Sequence, residues 1–537
     1  MTADSELPWW QTEVLYQIYP RSFADSNGDG VGDLRGIIDK LDYLEWLGIG
    51  GIWLNPVTES PNADWGYDVS DYRGVHPELG TMNDIEELIS EAGRRNIKII
   101  FDIVPNHTSD QHPWFLDALS GRDSQYRNYY VWADPNEDGS PPNNWLSVFD
   151  GPAWEWHEPT GQFYLHNFTD GQPDLDWWSE DVRREFDEIL RFWFDKGVAG
   201  FRIDVAHSLI KDRELRDNLM TSPDDHPHQR ELTQAQTYSM NRPEVHDIFR
   251  RWRKLSDTYD PARILIGETF VYDLDKWASF YGSGTDELNL CFNFPFALGP
   301  FDPEEMKTVV RVSEELIPPE AWPVWMASNH DIMRAMTRWC DGDENRSRLL
   351  IMLLLTLRGT PFIYYGEEIG MSDVELERDQ LRDPVGIKRW PRDKGRDPCR
   401  TPMQWSDEPG AGFSDEGIVP WLPYGDFKQT NVARQQEEPD SHLSFTRYLI
   451  RARKEVAGLI QGSYEEVDSP PGTWVYRRGR DVTVALNFSE EVQTIEGLEG
   501  RVKITTAPGR IDEHAPGRID LQPYQGVAIV PEGRRSN

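Results

Sequence analysis

Between about residues 13 and 370 the chain repeats one rhythm eight times: a short β-branched or aromatic run, polar turn residues, then a helical pattern. The runs fall at 14–20, 52–56, 97–104, 200–205, 264–268, 288–292, 324–328 and 361–366, the sixth being the weakest. Near-continuous apolar runs mark strands buried on both faces, as in a parallel sheet. The stretches 34–46 and 346–357 carry apolar residues at three- and four-residue spacing, the pattern of a helix with one buried stripe. Eight such units predict an α/β chain closed into a (β/α)₈ TIM barrel. An open doubly wound sheet would place a glycine-rich phosphate turn after its first strand, and none stands there.

Two intervals break the rhythm. Residues 106–176 are rich in Pro, Gly, Asn and Trp and poor in helical pattern, so they read as a small domain inserted after the third strand. Residues 372–430 form a long polar loop after the eighth strand, and loops of that length in a compact domain are usually functional. A helix near 442–456 ends the barrel. Beyond about 462 the pattern changes to short alternating strands such as 473–476 and 482–486, separated by Gly and Pro. They predict a C-terminal antiparallel β-sandwich. The expected division is therefore a barrel at 1–105 and 177–458, an inserted domain at 106–176 and a C-terminal domain at 459–537.

Charge and composition exclude several classes. Asp and Glu number 93 against 55 Lys and Arg, a formal net charge of −38, which leaves no basic field for nucleic acid or for an anionic membrane surface. Such acidity suits either ordinary solubility or adaptation to salt. No apolar run approaches the ~20 residues that span a bilayer. The N-terminal ten residues lack the basic and apolar regions of a signal peptide, so a cytoplasmic location is expected. Cys291, Cys340 and Cys399 are odd in number and widely spaced, which predicts neither a disulfide framework nor a zinc site. Whether the chain is a monomer or a homodimer is left open.

Chemistry in a barrel of this kind sits at the C-terminal ends of the strands. Asp102, Asp204, Glu268 and Asp331 all lie there, each at or just beyond the end of an apolar run. A carboxylate in that position is costly unless it is hydrogen-bonded or used. A pair of carboxylates, one nucleophilic and one proton-donating, is what glycoside hydrolysis requires. Arg202 precedes Asp204 by two residues on one strand, so both side chains point the same way, and its charge can keep Asp204 ionised. His107 and His330 can donate hydrogen bonds to sugar hydroxyls.

These segments resemble a known family. DIVPNH at 102–107, GFRID at 200–204, GE at 267–268 and SNHD at 328–331 are similar to the four ordered motifs of the α-amylase family of glycoside hydrolases. A fifth segment, QPDLD at 172–176, resembles the signature of its oligo-1,6-glucosidase and α-glucosidase subgroup. That subgroup usually has Asn at the last position, so Asp176 is a departure. The resemblance implies Asp204 as nucleophile, Glu268 as general acid and base, and Asp331 as the residue that holds two sugar hydroxyls and stabilises the transition state. It implies Arg202, His107 and His330 as lining of a glucose pocket, and Asp64 and Tyr67 as residues that bind the terminal sugar and block the pocket's far end. Arg400 is implied to reach the same sugar, and Tyr67 and Phe149 to stack on its ring, with ordinary packing an equal alternative for Phe149. Asp102 and Asn106 are implied to be structural. The activity implied is that of a retaining, exo-acting α-glucosidase on short α-glucosides, with no organic cofactor.

Finer specificity stays open. In the subgroup a Val after the nucleophile tends to accompany α-1,6 cleavage and Thr or Ala α-1,4 cleavage. Here Val205 is followed by Ala206-His207, which departs from the common α-1,6 pattern. A transglucosylase, or an isomerase of sucrose or trehalose, would share the covalent intermediate and differ only in acceptor. Barrel-shaped transporter subunits related to the family lose the acids and need a membrane span, and this chain keeps every acid. A purely carbohydrate-binding role is a further alternative, with the C-terminal unit as the module.

Asp25, Asn27, Asp29, Val31 and Asp33 place oxygen donors at alternating positions after the first strand, the spacing a hard cation takes. The twelfth position is Gly36 rather than Glu, so the loop is not an EF-hand. The subgroup often carries a structural Ca²⁺ or Mg²⁺ in this loop, and the same is expected here.

Overall fold

The computed structural model describes residues 7–531 except 224, 226, 228, 229, 231 and 232. Eight parallel strands carry the fold: β1 Leu15–Ile18, β2 Gly51–Leu54, β3 Lys98–Ile103, β4 Gly200–Ile203, β5 Ile264–Gly267, β6 Leu290–Cys291, β7 Val324–Trp325 and β8 Thr360–Tyr364. Their hydrogen-bonded order is β7-β8-β1-β2-β3-β4-β5-β6. In register, Leu15 faces Gly51 and Phe362, Gly51 faces Lys98, and Asp102 faces Arg202. Two-residue β6 and β7 do not bond to each other, yet Ile264, Leu290, Val324, Phe362, Leu15, Trp53 and Ile100 share one buried cluster. Strands from both edges therefore meet around one interior, and the sheet rolls into the expected TIM barrel. The partly buried Trp9 and Trp10 pack against this cluster.

Helices lie outside the strands. The expected helix at 34–46 is two pieces, Leu34–Asp39 and Leu41–Leu47, parted where Lys40 adopts φ −102° and ψ 4°. The helix Met82–Arg94 starts at a reciprocal cap in which Thr81 accepts from Asp84 N–H and Asp84 accepts from Thr81 N–H. The helix Glu344–Thr356 is buried along most of its length because the barrel lies on one side and the C-terminal unit on the other. That double burial accounts for its dense apolar spacing.

Its C-terminal carbonyls would be orphaned in an apolar seam. Two buried arginines take them. Arg453, on the helix His442–Glu455, donates to Leu355 O at 2.8 Å, Leu357 O at 3.2 Å and Gly359 O at 2.5 Å. Arg478 donates to Thr356 O at 2.6 Å. Cations at a helix C-terminus also meet the negative end of its dipole.

The segment after β3 forms a three-stranded antiparallel sheet of Trp132–Ala133, Gln162–Leu165 and Trp154–His157, with its own core of Trp145, Trp154, Phe163 and Leu165. The C-terminal unit is six antiparallel strands between Tyr464 and Val530. One face encloses Val475, Ile495, Val502 and Ile519, and the other sends Trp474, Tyr476 and Leu486 into the main core. Cys291, Cys340 and Cys399 are buried and unbridged. Among the described residues no helix is long and apolar enough to cross a membrane.

Arg453→Met would remove the donors to three buried carbonyls. We expect it to lower the unfolding free energy by about 3 kcal/mol in a urea titration while leaving kcat per folded molecule unchanged. A loss below about 1 kcal/mol would mean that water replaces the guanidinium.

Candidate active site

The register of β3 and β4 puts Asp102 beside Arg202, and β4 carries Asp204 out of its C-terminal end. Arg202 is fully buried. Its Nη1 lies 2.9 Å from Asp102 Oδ1 and 2.6 Å from Asp204 Oδ1, and its Nη2 lies 2.8 Å from Glu268 Oε2. One guanidinium thus gathers three carboxylates from the ends of β3, β4 and β5. The guanidinium carbon lies over the rings of Trp53 and Tyr67, 5.0 Å and 5.9 Å from their centroids.

Three acids around one cation leave an excess of negative charge in a dry site. Burial pushes the Asp204 pKa well above the ordinary carboxylate range, the neighbouring Glu268 and Asp102 add to that, and Arg202 opposes it. Asp102 rises to about 6 for the same leading reason, against Arg202 and the Tyr67 hydroxyl that donates to it at 2.8 Å. Burial and mutual repulsion in such a cluster work against full ionisation, and general acid catalysis needs a proton held at the site.

Val205 links the two acids. It adopts φ 41°, ψ 45°, a left-handed conformation strained for a β-branched residue. In that conformation its N–H donates to Glu268 Oε2 at 2.8 Å. That hydrogen bond orients the Glu268 carboxylate relative to Asp204.

Asp331 stands in a different setting. Arg400 Nη2 lies 2.8 Å and Arg396 Nη1 3.4 Å from Asp331 Oδ1, and His330 Nε2 lies 3.1 Å from Oδ2. Burial works to raise the Asp331 pKa, but His330, Arg396, Arg400 and Arg202 prevail and hold it well below the usual range. Gln17 Nε2 approaches both Asn55 Oδ1 at 2.8 Å and His330 Nδ1 at 2.9 Å. As an amide N it can only donate, so Nδ1 accepts and the His330 proton sits on Nε2, facing Asp331.

The remaining expected residues join this network. Tyr67 stacks on His330 with centroids 5.2 Å apart and planes 7° apart. His107 Nε2 lies 2.9 Å from Tyr67 O and 3.1 Å from Gln172 Nε2, which donates to Asp64 Oδ2 at 3.1 Å. Arg400 Nε donates to His330 O at 2.7 Å. Phe149 comes from the inserted segment and lies under the Arg396 guanidinium, 5.3 Å from its ring centroid. All eleven catalytic and sugar-binding candidates are therefore linked through one set of contacts.

Arg396 is the main residue that sequence reasoning missed. It pairs with Asp64 at 2.5 Å and Asp383 at 2.7 Å, as well as reaching Asp331. It ties the loop after β2 to the loop after β8 and caps the network on the side of Asp64. Its position four residues before Arg400 was the available signal, since both lie in the long loop already marked as functional. Lys211 was missed as well. Its buried ammonium donates to Asn106 Oδ1 at 2.6 Å and Ser208 O at 2.8 Å and pairs with Asp174 Oδ2 at 2.7 Å. It thereby ties the loop after β3 and the inserted segment to the loop after β4.

The 25–33 loop is wound by its own side chains. Asp25 accepts from Asn27, Gly28 and Gly30 N–H, Asn27 from Asp29 N–H, and Asp29 from Val31 N–H. Asp33 caps the helix Leu34–Asp39 by accepting from Gly36 N–H at 2.6 Å. Gly36 is required there, because a Cβ would stand 2.0 Å from Ala24 O. Among the described residues no three His, Cys, Asp or Glu side chains converge as metal-holding groups do.

The geometry separates the two acids by experiment. Asp204→Asn should lower kcat/KM on every substrate by at least about 10⁴-fold. Glu268→Gln should do so on sugars, yet still release a burst of fluoride from α-glucosyl fluoride, whose leaving group needs no proton, before stalling at the second step, where the attacking water has lost its base. Wild-type kcat/KM should fall with decreasing pH through an acid limb above the ordinary Asp range, where Asp204 takes up its proton.

Comparison with known proteins bears on the family and the fold. The alpha amylase catalytic-domain family matches residues 17–462. The chain is 41% identical to a probable alpha-glucosidase of Rhizobium meliloti, over 96% of this chain and 95% of that one. It is 38% identical to an oligo-1,6-glucosidase of Heyndrickxia coagulans, over 98% and 99%. Among solved structures, the alpha-glucosyl transfer enzyme XgtA superimposes with a TM-score of 0.92 at 38% identity, covering 98% of this chain and all of that one. The trehalulose synthase MutB of Pseudomonas mesoacidophila gives 0.88 at 34%, with the same coverage. With the ordered acids at the rim of a parallel barrel and a family match over most of its length, the chain belongs to the α-amylase family of glycoside hydrolases.

Proposed function

We propose that the protein is a retaining, exo-acting α-glucosidase that releases single glucose units from the non-reducing ends of short α-glucosides. The observation that carries the reading is the Arg202 bridge, which holds Asp204 and Glu268 on one cation at the barrel rim. Asp204 attacks the anomeric carbon while Glu268 gives its proton to the glycosidic oxygen, which leaves as an alcohol. Glu268 then takes a proton from water as that water attacks the glucosyl–Asp204 ester, and both acids return to their starting states. Asp331, kept ionised by Arg396 and Arg400, holds sugar hydroxyls and opposes the positive charge that develops on the ring. The exo mode is supported by the Asp64–Arg396–Asp383 network, which joins two loops where a longer chain would otherwise pass. Three buried, unbridged thiols suit a reducing compartment, and we assign the cytoplasm.

A second reading, transfer rather than hydrolysis, is favoured by one feature. Phe270, two residues beyond Glu268, is 36% exposed, and Met333, two residues beyond Asp331, is 49% exposed. An apolar rim where the leaving group departs discourages water and favours a sugar or alcohol acceptor. If the acceptor is the departed fructose of sucrose, the outcome is isomerisation.

Maltose, isomaltose, sucrose and trehalose, each incubated with wild type and Asp204→Asn, test these readings together. Glucose released by wild type alone supports the α-glucosidase. New disaccharides without glucose move the function to an isomerase, and no reaction with any sugar removes both readings. Val205→Thr should shift the maltose-to-isomaltose ratio toward maltose. An unchanged ratio would discard Val205 as a linkage determinant.

A structural Ca²⁺ or Mg²⁺ in the first loop is part of the same proposal. The donor set is all oxygen and fits a hard cation: the side chains of Asp25, Asn27, Asp29 and Asp33 and the Val31 carbonyl would hold it. When bound, the ion supplies charge neutralisation to this loop and takes no part in bond cleavage. EDTA should lower the Tm, and Ca²⁺ or Mg²⁺ should restore it, while Asp29→Ala should be insensitive to both. Equal Tm values with EDTA and with cation would remove the metal.

A further inference from the structure

Asp176, the departure in the fifth motif, lines a groove that the reaction at the barrel rim does not use. The groove is a cavity of about 440 Å³ between the inserted segment and the loop after β4. Arg122 and Arg127 line it from the inserted segment and Lys211 and Arg213 from the loop after β4. In a chain of net charge −38 this concentration of cations stands out.

Some of that charge is neutralised locally. Arg122 pairs with Asp134 at 3.0 Å, and Lys211 with Asp174. Arg127 is different. It is 5% exposed, and its hydrogen bonds go to neutral oxygens: Ala118 O at 2.6 Å, Thr160 Oγ1 at 3.2 Å and Gln162 Oε1 at 2.7 Å. Burial, with Arg122 nearby, pushes its pKa down to about 10, the mark of a cation short of negative charge. Its guanidinium lies 3.2 Å from the Trp132 ring centroid, and that of Arg213 4.3 Å from the Trp178 centroid. Arg213, exposed and stacked on its indole, keeps its edge for in-plane hydrogen bonds to an oxyanion, while Arg127 has spent three of its N–H groups on neutral oxygens and brings chiefly its charge. Of the two carboxylates that line the groove, Asp212 is paired with Arg216, and Asp176, which accepts from Trp178 N–H at 3.0 Å, is the acceptor offered to hydroxyls.

We propose that this groove is a regulatory site for a sugar phosphate, whose phosphate sits between Arg127 and Arg213 and whose hydroxyls meet Asp176. A cavity of this size accepts a hexose phosphate. The site reaches the active centre through Lys211. The charge of Asp176 acts on Lys211, which holds Asn106 and Asp174, and Asn106 Nδ2 lies 3.1 Å from His107 Nδ1. A ligand that draws on Asp176 thus alters the support of the pocket wall and moves KM more than kcat. This last step rests on the proposed glucosidase activity, whereas binding does not.

Binding is therefore measured by calorimetry on Asp204→Asn, which does not turn over, with glucose 6-phosphate and inorganic phosphate as probes at constant ionic strength. Deoxynojirimycin is present at saturation to occupy the active site. We expect glucose 6-phosphate to bind, with phosphate weaker, and Arg213→Ala and Arg127→Met each to weaken both by about tenfold or more. Arg213 is exposed, so its variant decides the matter if Arg127→Met does not fold. No heat from either probe, or equal affinity in Arg213→Ala, would overturn the site. In the wild type, glucose 6-phosphate should change KM for p-nitrophenyl α-glucoside, and Asp176→Asn should abolish that change. An unchanged KM despite binding would overturn the regulatory role.

Discussion

The rest of the active centre depends on a single buried guanidinium. Arg202 makes it possible for Asp102, Asp204 and Glu268 to stand together out of water. Without a cation, three carboxylates at the ends of adjacent strands would each take up a proton or force the barrel rim apart. Arginine suits the task because its charge is permanent and its planar fork reaches several acids at once. The surrounding Trp53 and Tyr67 rings and the Tyr67 hydroxyl on Asp102 support that group where no solvent helps it.

A second buried cation does comparable work one layer out. Lys211 holds Asn106, Asp174 and the Ser208 carbonyl within 2.6–2.8 Å, a set of oxygens that would also attract a metal ion. A lysine in that position makes the junction part of the covalent chain, always present and independent of ion supply. The two cations divide the labour: Arg202 serves the reacting acids, and Lys211 keeps the inserted segment aligned with the barrel so that His107 is presented correctly.

The barrel was legible because each buried strand is a short apolar run with no polar alternation, and even the two-residue strand β6 left a trace in Leu288 to Phe292. The acids were legible because strand ends are where side chains escape the core, so Asp204, Glu268 and Asp331 could be placed without coordinates. Arg396 and Lys211 could not. Their roles are defined by partners 332 and 37 residues away in sequence; placement in the long loop beside Arg400 was all that pointed to Arg396, and nothing local distinguishes Lys211 from a solvated loop cation. The split of helix 34–47 at Lys40 was equally silent, since one apolar stripe runs through both pieces. Buried residues announce themselves by type, whereas bridging charges do so only once the loops have met.

The salt bridges of Arg396 with Asp64 and Asp383 have a kinetic side. They turn the proposed pocket into a cul-de-sac, so everything that enters or leaves passes the same mouth. The leaving group must depart before a water molecule or second sugar can reach the glucosyl-enzyme, and glucose, seated deepest, departs last. Such a traffic order imposes ping-pong turnover, makes free glucose a competitor of the incoming substrate, and gives any acceptor lingering at the mouth a head start over water.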